Sequence, residues 1–152
     1  MKGKIYEACV QSDVVYGSNT WPMKSRDLSR LVRTERMMPR RMCGVNLNDM
    51  KSSADLLNYL GVVSVAEVVQ RGRLRWFGHV ERMSADVWVS ACRNLEISGN
   101  KGRGRSRKTS KGCVSDDMKL LKLTRDDAQY RVAWRSTIMG RCPTLVNMEQ
   151  RT

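Results

Sequence analysis

The sequence predicts an all-α chain, with a small helical bundle over residues 1–95, a basic linker over 96–112 and a two-helix tail over 113–152. Three observations carry that prediction. Aromatic residues make up only 6% of the chain and there are ten methionines, so a core must be mostly aliphatic with methionine filling gaps. That suits packed helices better than a sandwich or barrel. Apolar residues recur at helical intervals, not alternating ones. Helix-opening and helix-closing residues bracket those periodic segments. At 152 residues, the chain has the length of one domain or a piece of a larger one.

The first segment, 4–16, spaces Ile5, Ala8, Cys9 and Val15 loosely at helical intervals and ends at Tyr16-Gly17-Ser18-Asn19. A loop holding Trp21 and Pro22 follows, and Ser25 is placed to cap a helix over 25–43. At about 100° per residue, Leu28, Leu31, Val32, Met38 and Met42 fall on one side of that helix. Arg26, Arg30, Arg33, Arg40 and Arg41 fall within an arc on the other. Pro39 lacks the N–H that would bond the Glu35 carbonyl, at a cost of about 3 kcal/mol, so a kink or an early end is expected near Met38.

Ser52-Ser53 open a short helix stopped by Gly61, with Leu56, Leu57 and Leu60 on its apolar side. Ser64 and Glu67 have capping-box spacing and open a helix over 65–83. On it, Val65, Val69, Gly72, Trp76, Val80 and Met83 share one face, extended by Phe77, while Arg71, Arg75, His79 and Arg82 share a neighbouring arc. A further helix is expected around Trp88, which serves as its anchor. Residues 98–112 then contain six basic residues, four glycines and no acidic or apolar side chain, a composition that cannot bury a core. In the tail, residues 113–123 form one helix. Thr124 and Asp127 cap a second, which ends at Gly140 and Pro143.

The formal net charge is +13, from 28 Lys and Arg against 15 Asp and Glu. Such an excess repels itself unless it meets a polyanion, so nucleic acid is the first partner it fits and an anionic membrane surface the second. The candidate contacts are Arg26, Arg30, Arg33, Arg40, Arg41, Arg71, Arg75 and Arg82 on the helices, with Lys101, Arg103, Arg105, Arg107 and Lys108 in the linker. Cys9, Cys43, Cys92, Cys113 and Cys142 are an odd set with irregular gaps and no C-x-x-C, which fits reduced thiols of an intracellular protein, nuclear or cytoplasmic. No signal peptide or membrane span is expected.

His79-Val80-Glu81 matches the H-x-E of zinc deaminases in form, but the P-C-x-x-C partner is missing. A zinc site built from His79, Cys92, Cys113 and Cys142 would have to gather ligands from across the glycine-rich linker. Trp21, Trp76, Trp88 and Trp134 could stack on bases, yet their spacing beside aliphatic residues assigns them to the core, Trp21 on its loop least firmly.

The blocks VVYGSNTWPM, RLVRTERMMPRRMCGV, LGVVSVAEVVQRGRLRWFGHVERM, GRGRSRKTSKGCVSDDMKLLKLT and DDAQYRVAWRS resemble, in order and spacing over nearly the whole chain, the region downstream of the polymerase core in non-LTR (LINE-like) retrotransposon reverse transcriptases. The resemblance implies a thumb-like helical clamp on primer-template duplex, with later basic segments holding RNA or target DNA. It implies no catalysis here. Polymerisation needs clustered carboxylates for two divalent ions, whereas Asp116-Asp117 and Asp126-Asp127 read as helix N-terminal charges. The chain departs from the family's pattern at Asn19, Pro39 and Ser110, each change removing a packing or helix-forming feature, as in a decayed or truncated copy.

The function expected is sequence-independent binding of nucleic-acid backbone, whether RNA, DNA or hybrid, with no cofactor, metal, small-molecule substrate or membrane. The rival readings are a non-functional fragment, or a recruited module that grips a partner protein with the helix over 65–83.

Overall fold

A computed structural model describes residues 1–20, 22–95, 104 and 108–140, and among them every regular element is helical. The chain is all-α, as the sequence predicts. It divides into two compact units, Met1–Gly72 and Arg73–Thr152. The division falls inside a helix, not at the basic linker that the sequence offers as a boundary. Trp21, residues 96–103 and 105–107, Cys142 and Pro143 lie outside the described residues, and with them the expectations placed there.

The first unit begins with a helical run in three parts: α1 (Lys2–Ile5), a π-helical turn (Tyr6–Gln11) and α2 (Ser12–Val14). Tyr6 and Gln11 are both buried. Gly3 is buried where a Cβ would run into the backbone carbonyl of Leu60, so no larger residue fits there.

Next comes α3 (Ser25–Cys43), which starts after Lys24 with no side-chain cap, so Ser25 is its first residue and not its cap. The helix passes through Pro39, and the expected early end does not occur. The missing hydrogen bond is still lost. The proline ring, however, is among the most completely buried side chains of the chain, so its packing offsets part of that cost. Gly44 ends the helix at φ 66°, and its N–H and that of Val45 reach back to Arg41 and Arg40 carbonyls. Lys2 Nζ donates to the Met42 carbonyl at 3.1 Å, a cation at the negative end of the helix dipole.

A 3-10 turn (Leu47–Asp49) leads to α4 (Ser53–Leu60). The Ser52 hydroxyl accepts from the Ala54 N–H, and Gly61 at φ 67° closes the helix, both as the sequence indicates. Val65 and Val69, with Met23, make the buried centre of this unit, and Val14, Val15, Leu28, Leu31 and Val32 pack around them.

Helix α5 (Val65–Glu81) carries the boundary between the units. Its start is capped by two residues, in a different way from the expected box. Ser64 Oγ accepts from the Glu67 N–H at 3.4 Å. Glu67 does not return the bond, because its carboxylate pairs with Arg71. The Val65 N–H goes instead to Glu35 of α3, at 2.8 Å.

In the second unit α6 (Trp88–Asn94) is followed by α7 (Ser110–Leu120), a 3-10 turn (Asp126–Gln129) and α8 (Arg131–Ile138). Thr109 caps α7 by accepting from the Gly112 N–H, so the last residues of the expected linker are helical. The Thr124–Asp127 pairing is present: the Asp127 carboxylate accepts from the Thr124 N–H at 2.8 Å and its hydroxyl at 2.7 Å. The continuous helix expected after it is broken at Tyr130, whose ψ of 84° is not helical.

Leu74, Ala128, Trp134 and Ile138 form the core of this unit, enclosed by Phe77, Val114, Met118, Leu121 and Leu123. The tail helices therefore supply much of a core and are not loosely attached. Trp134 Nε1 donates to the Leu74 carbonyl at 3.0 Å. Gly78 makes that approach possible, since a Cβ there would come within 2.9 Å of the indole Cδ1. A mid-helix glycine costs about 1 kcal/mol against alanine, less than burying a tryptophan gains.

Candidate nucleic-acid interface

The cationic residues separate into those the protein itself uses and those left in solvent. On α3, Arg26, Arg30, Arg33 and Arg41 are exposed, and among the described residues none forms a salt bridge. At about 100° per residue they span an arc of roughly 80°, opposite the side that carries Leu28, Leu31 and Val32. The sequence places this ridge correctly except for Arg40. That guanidinium is half-buried and donates to the carbonyls of Lys51 at 2.8 Å and Asn46 at 3.4 Å, holding the 44–52 segment against the helix. Arg36, about 60° outside the arc, is also exposed and was not among the expected contacts.

Along α5 the expected ridge of Arg71, Arg75 and Arg82 is mostly committed elsewhere. Arg71, in the first unit, is half-buried and bonded to Glu67 one turn before it. Arg82, in the second, donates from Nη1 to the Ala128 carbonyl. Its pKa is lowered, first by burial and then by the nearby Arg131. Arg75 alone of the three is exposed, next to exposed His79. In the linker, Lys108 is exposed and bonded to Asp116 at 3.0 Å, which raises its pKa. Lys101, Arg103, Arg105 and Arg107 lie outside the described residues.

Asp116 and Asp117 are not N-terminal helix charges, because they sit beyond the middle of α7. Asp117 accepts from Arg73, Nε at 2.9 Å and Nη2 at 2.8 Å, in a nearly buried, two-pronged pair. This geometry suits a guanidinium fork on one carboxylate. The signal for Arg73 was present, since at about 100° per residue it falls between Trp76 and Phe77 among apolar positions. An arginine there needs an acid brought from elsewhere in the chain.

Glu35 carries the corresponding signal on α3, where it lies amid Leu28, Leu31 and Val32 and is 5% exposed. Its carboxylate accepts from Val65 N–H and, at 3.3 Å, from Gln11 Nε2, which also donates to the Val63 carbonyl at 2.6 Å. Burial raises the Glu35 pKa, and those two hydrogen bonds oppose the rise. Burial and then Glu35 likewise raise the pKa of Tyr6.

The tryptophans divide too. Trp134 is in the core, 1% exposed, whereas Trp88, expected to anchor its helix, is 74% exposed. Trp76, expected in the core, is 38% exposed, and its ring lies 5.7 Å from that of His79 at a tilt of 47°.

Two of the departures from the retrotransposon pattern have structural roles. Asn19 fills the space a Cβ on buried Gly72 would need, and Pro39 is part of the packed face of α3. Among the described residues no group of three or more His, Cys, Asp and Glu is placed to hold a metal ion, and no helix is long and apolar enough to cross a membrane. No family model, curated protein or solved structure matches the chain.

Proposed function

We propose that the chain binds the phosphate backbone of nucleic acid without sequence preference, and that the outer face of α3 is the main contact. One observation carries this reading: Arg26, Arg30, Arg33 and Arg41 are exposed on one arc and have no ion-pair partner among the described residues. Guanidinium groups suit phosphate oxygens because their N–H groups form a planar fork. A ridge over several helical turns can meet successive phosphates without reading base edges. The net charge of +13 favours the encounter at long range.

The resemblance to the segment downstream of a retrotransposon polymerase points the same way, with this chain as a remnant that binds and does not polymerise. It rests on the sequence blocks alone.

The test is fluorescence anisotropy of a labelled duplex of arbitrary sequence, titrated with the full chain at several salt concentrations. Phosphate binding gives a linear fall of log K with log salt, with a slope of about −0.9 for each phosphate neutralised. Affinity indifferent to salt, or absent at low salt, refutes the proposal.

A further inference from the structure

Trp76, like Trp88, is expected in the core and lies at the surface, and it stands on the long helix α5 among polar neighbours. In the second unit α5 buries Arg73, Leu74, Gly78 and Val80. At about 100° per residue Leu74 and Gly78 lie roughly 160° round the helix from Trp76, Val80 and Arg73 about 40° and 60° to one side of it, and exposed His79 and Arg75 about 60° and 100° to the other. Trp76 therefore stands at the edge of an exposed arc, its indole more than a third exposed. Its N–H has no hydrogen-bond partner among the described residues.

The surroundings are cationic and polar. Arg75 and His79 are exposed on either side of it in sequence, and the His79 ring, tilted at 5.7 Å, props one side of the indole. The only carboxylate between Arg73 and Glu81 is Glu81 itself, and Arg125 neutralises it at 2.9 Å. An exposed indole beside an exposed guanidinium fits a ligand that is flat and apolar in one part and anionic in another. An unpaired nucleotide has that chemistry, whereas an acidic peptide lacks the flat ring and a paired base hides its faces in the duplex.

We infer that Trp76, with Arg75 and His79, is a stacking platform for an unpaired base, so that the chain holds single strands or frayed ends as well as backbone. This rests on the backbone-binding reading and gives it a substrate class: the α3 arginines hold phosphates, and Trp76 adds a preference for strands whose bases are free.

The test compares the full chain and its variants on a labelled single-stranded oligonucleotide and on an abasic strand with the same number of phosphates. Trp76→Ala should weaken binding to the base-bearing strand about tenfold and leave the abasic strand unchanged. Trp76→Leu, which keeps apolar bulk without a ring face, should match it, and Trp76→Phe should retain most of the affinity. The combined Arg26, Arg30, Arg33 and Arg41→Gln variant should weaken both strands alike. Stacking is overturned if Trp76→Ala and Trp76→Leu affect both strands equally or neither, or if the unaltered chain does not prefer the base-bearing strand. Failure of the unaltered chain to bind either strand at low salt refutes backbone binding along with it.

Discussion

The two units handle a buried ionisable group in different ways. Both place one ionisable residue in the middle of an apolar helix face, Glu35 in the first and Arg73 in the second. Glu35 is met by neutral donors, a backbone N–H and the Gln11 amide, whereas Arg73 is met by a full opposite charge on Asp117. At the surface each unit ties some of its cations. In the second unit Arg82, Arg125 and Lys108 are tied to the Ala128 carbonyl, Glu81 and Asp116, while Arg75, Arg131 and Arg135 are exposed. In the first, Arg40 and Arg71 are tied to backbone carbonyls and Glu67, while Arg26, Arg30, Arg33 and Arg41 are exposed on one arc with no ion-pair partner among the described residues. A charge excess counted from sequence therefore overstates the cations available for binding, and what sets α3 apart is that it gathers four of them on one arc.

The largest expected effect lies in the second unit. Trp134→Ala removes the core indole and its bond to Leu74, and should cost about 3–5 kcal/mol in urea denaturation followed by circular dichroism. A loss under about 1 kcal/mol would mean that this core does not hold the tail. Asp117→Ala comes next. It leaves Arg73 nearly buried without its carboxylate, and the penalty for an unpaired buried charge is on the order of 3 kcal/mol. Replacing Arg73 and Asp117 together with apolar residues of similar volume should recover much of that loss, which tells an unpaired charge from lost packing.

A smaller effect, with a distinctive pH signature, is expected at Glu35. Because burial raises its pKa in the folded chain, the folded state holds that proton more tightly than the unfolded state. The stability this provides is fully present below the ordinary carboxylate pKa and is lost as pH rises through the raised value. Glu35→Gln keeps an acceptor oxygen and carries no charge. Its stability relative to the unaltered chain should therefore improve across that rise, by an amount on the order of 1 kcal/mol. A difference that does not vary with pH would show that the carboxylate is not charged at a buried site.

Much of this was legible in the residues. Gly61 as a helix stop follows from local chemistry, as do the serines that open α4, the Thr124–Asp127 pairing and the α3 ridge, and local chemistry is what a sequence carries directly. What was not legible depended on partners far along the chain. The phase set by Val65 and Val69 puts Trp76 and Val80 inside, and Val80 is buried, but the second half of α5 also buries Leu74 and Gly78 on another side, where Trp134, 60 residues from Leu74, docks. Pro39 argued for a helix end by its missing N–H alone, without the apolar surroundings that bury its ring. The arginines of α5 looked equivalent to those of α3 on angle, and only the positions of Glu67 and Ala128 separate them.

The smallest effect on stability and the most direct test of the account come from the same variant. Arg26, Arg30, Arg33 and Arg41→Gln together should each shift stability by less than about 0.5 kcal/mol, while the salt slope for duplex binding should flatten by as much as about 3.6. Lys108 and Arg125→Gln, which remove exposed cations already paired with carboxylates, should leave that slope nearly unchanged. The same slope in the α3 variant as in the unaltered chain, or an equal flattening in the Lys108 and Arg125 variant, would contradict the claim that unpartnered arginines on α3 are what the protein binds with.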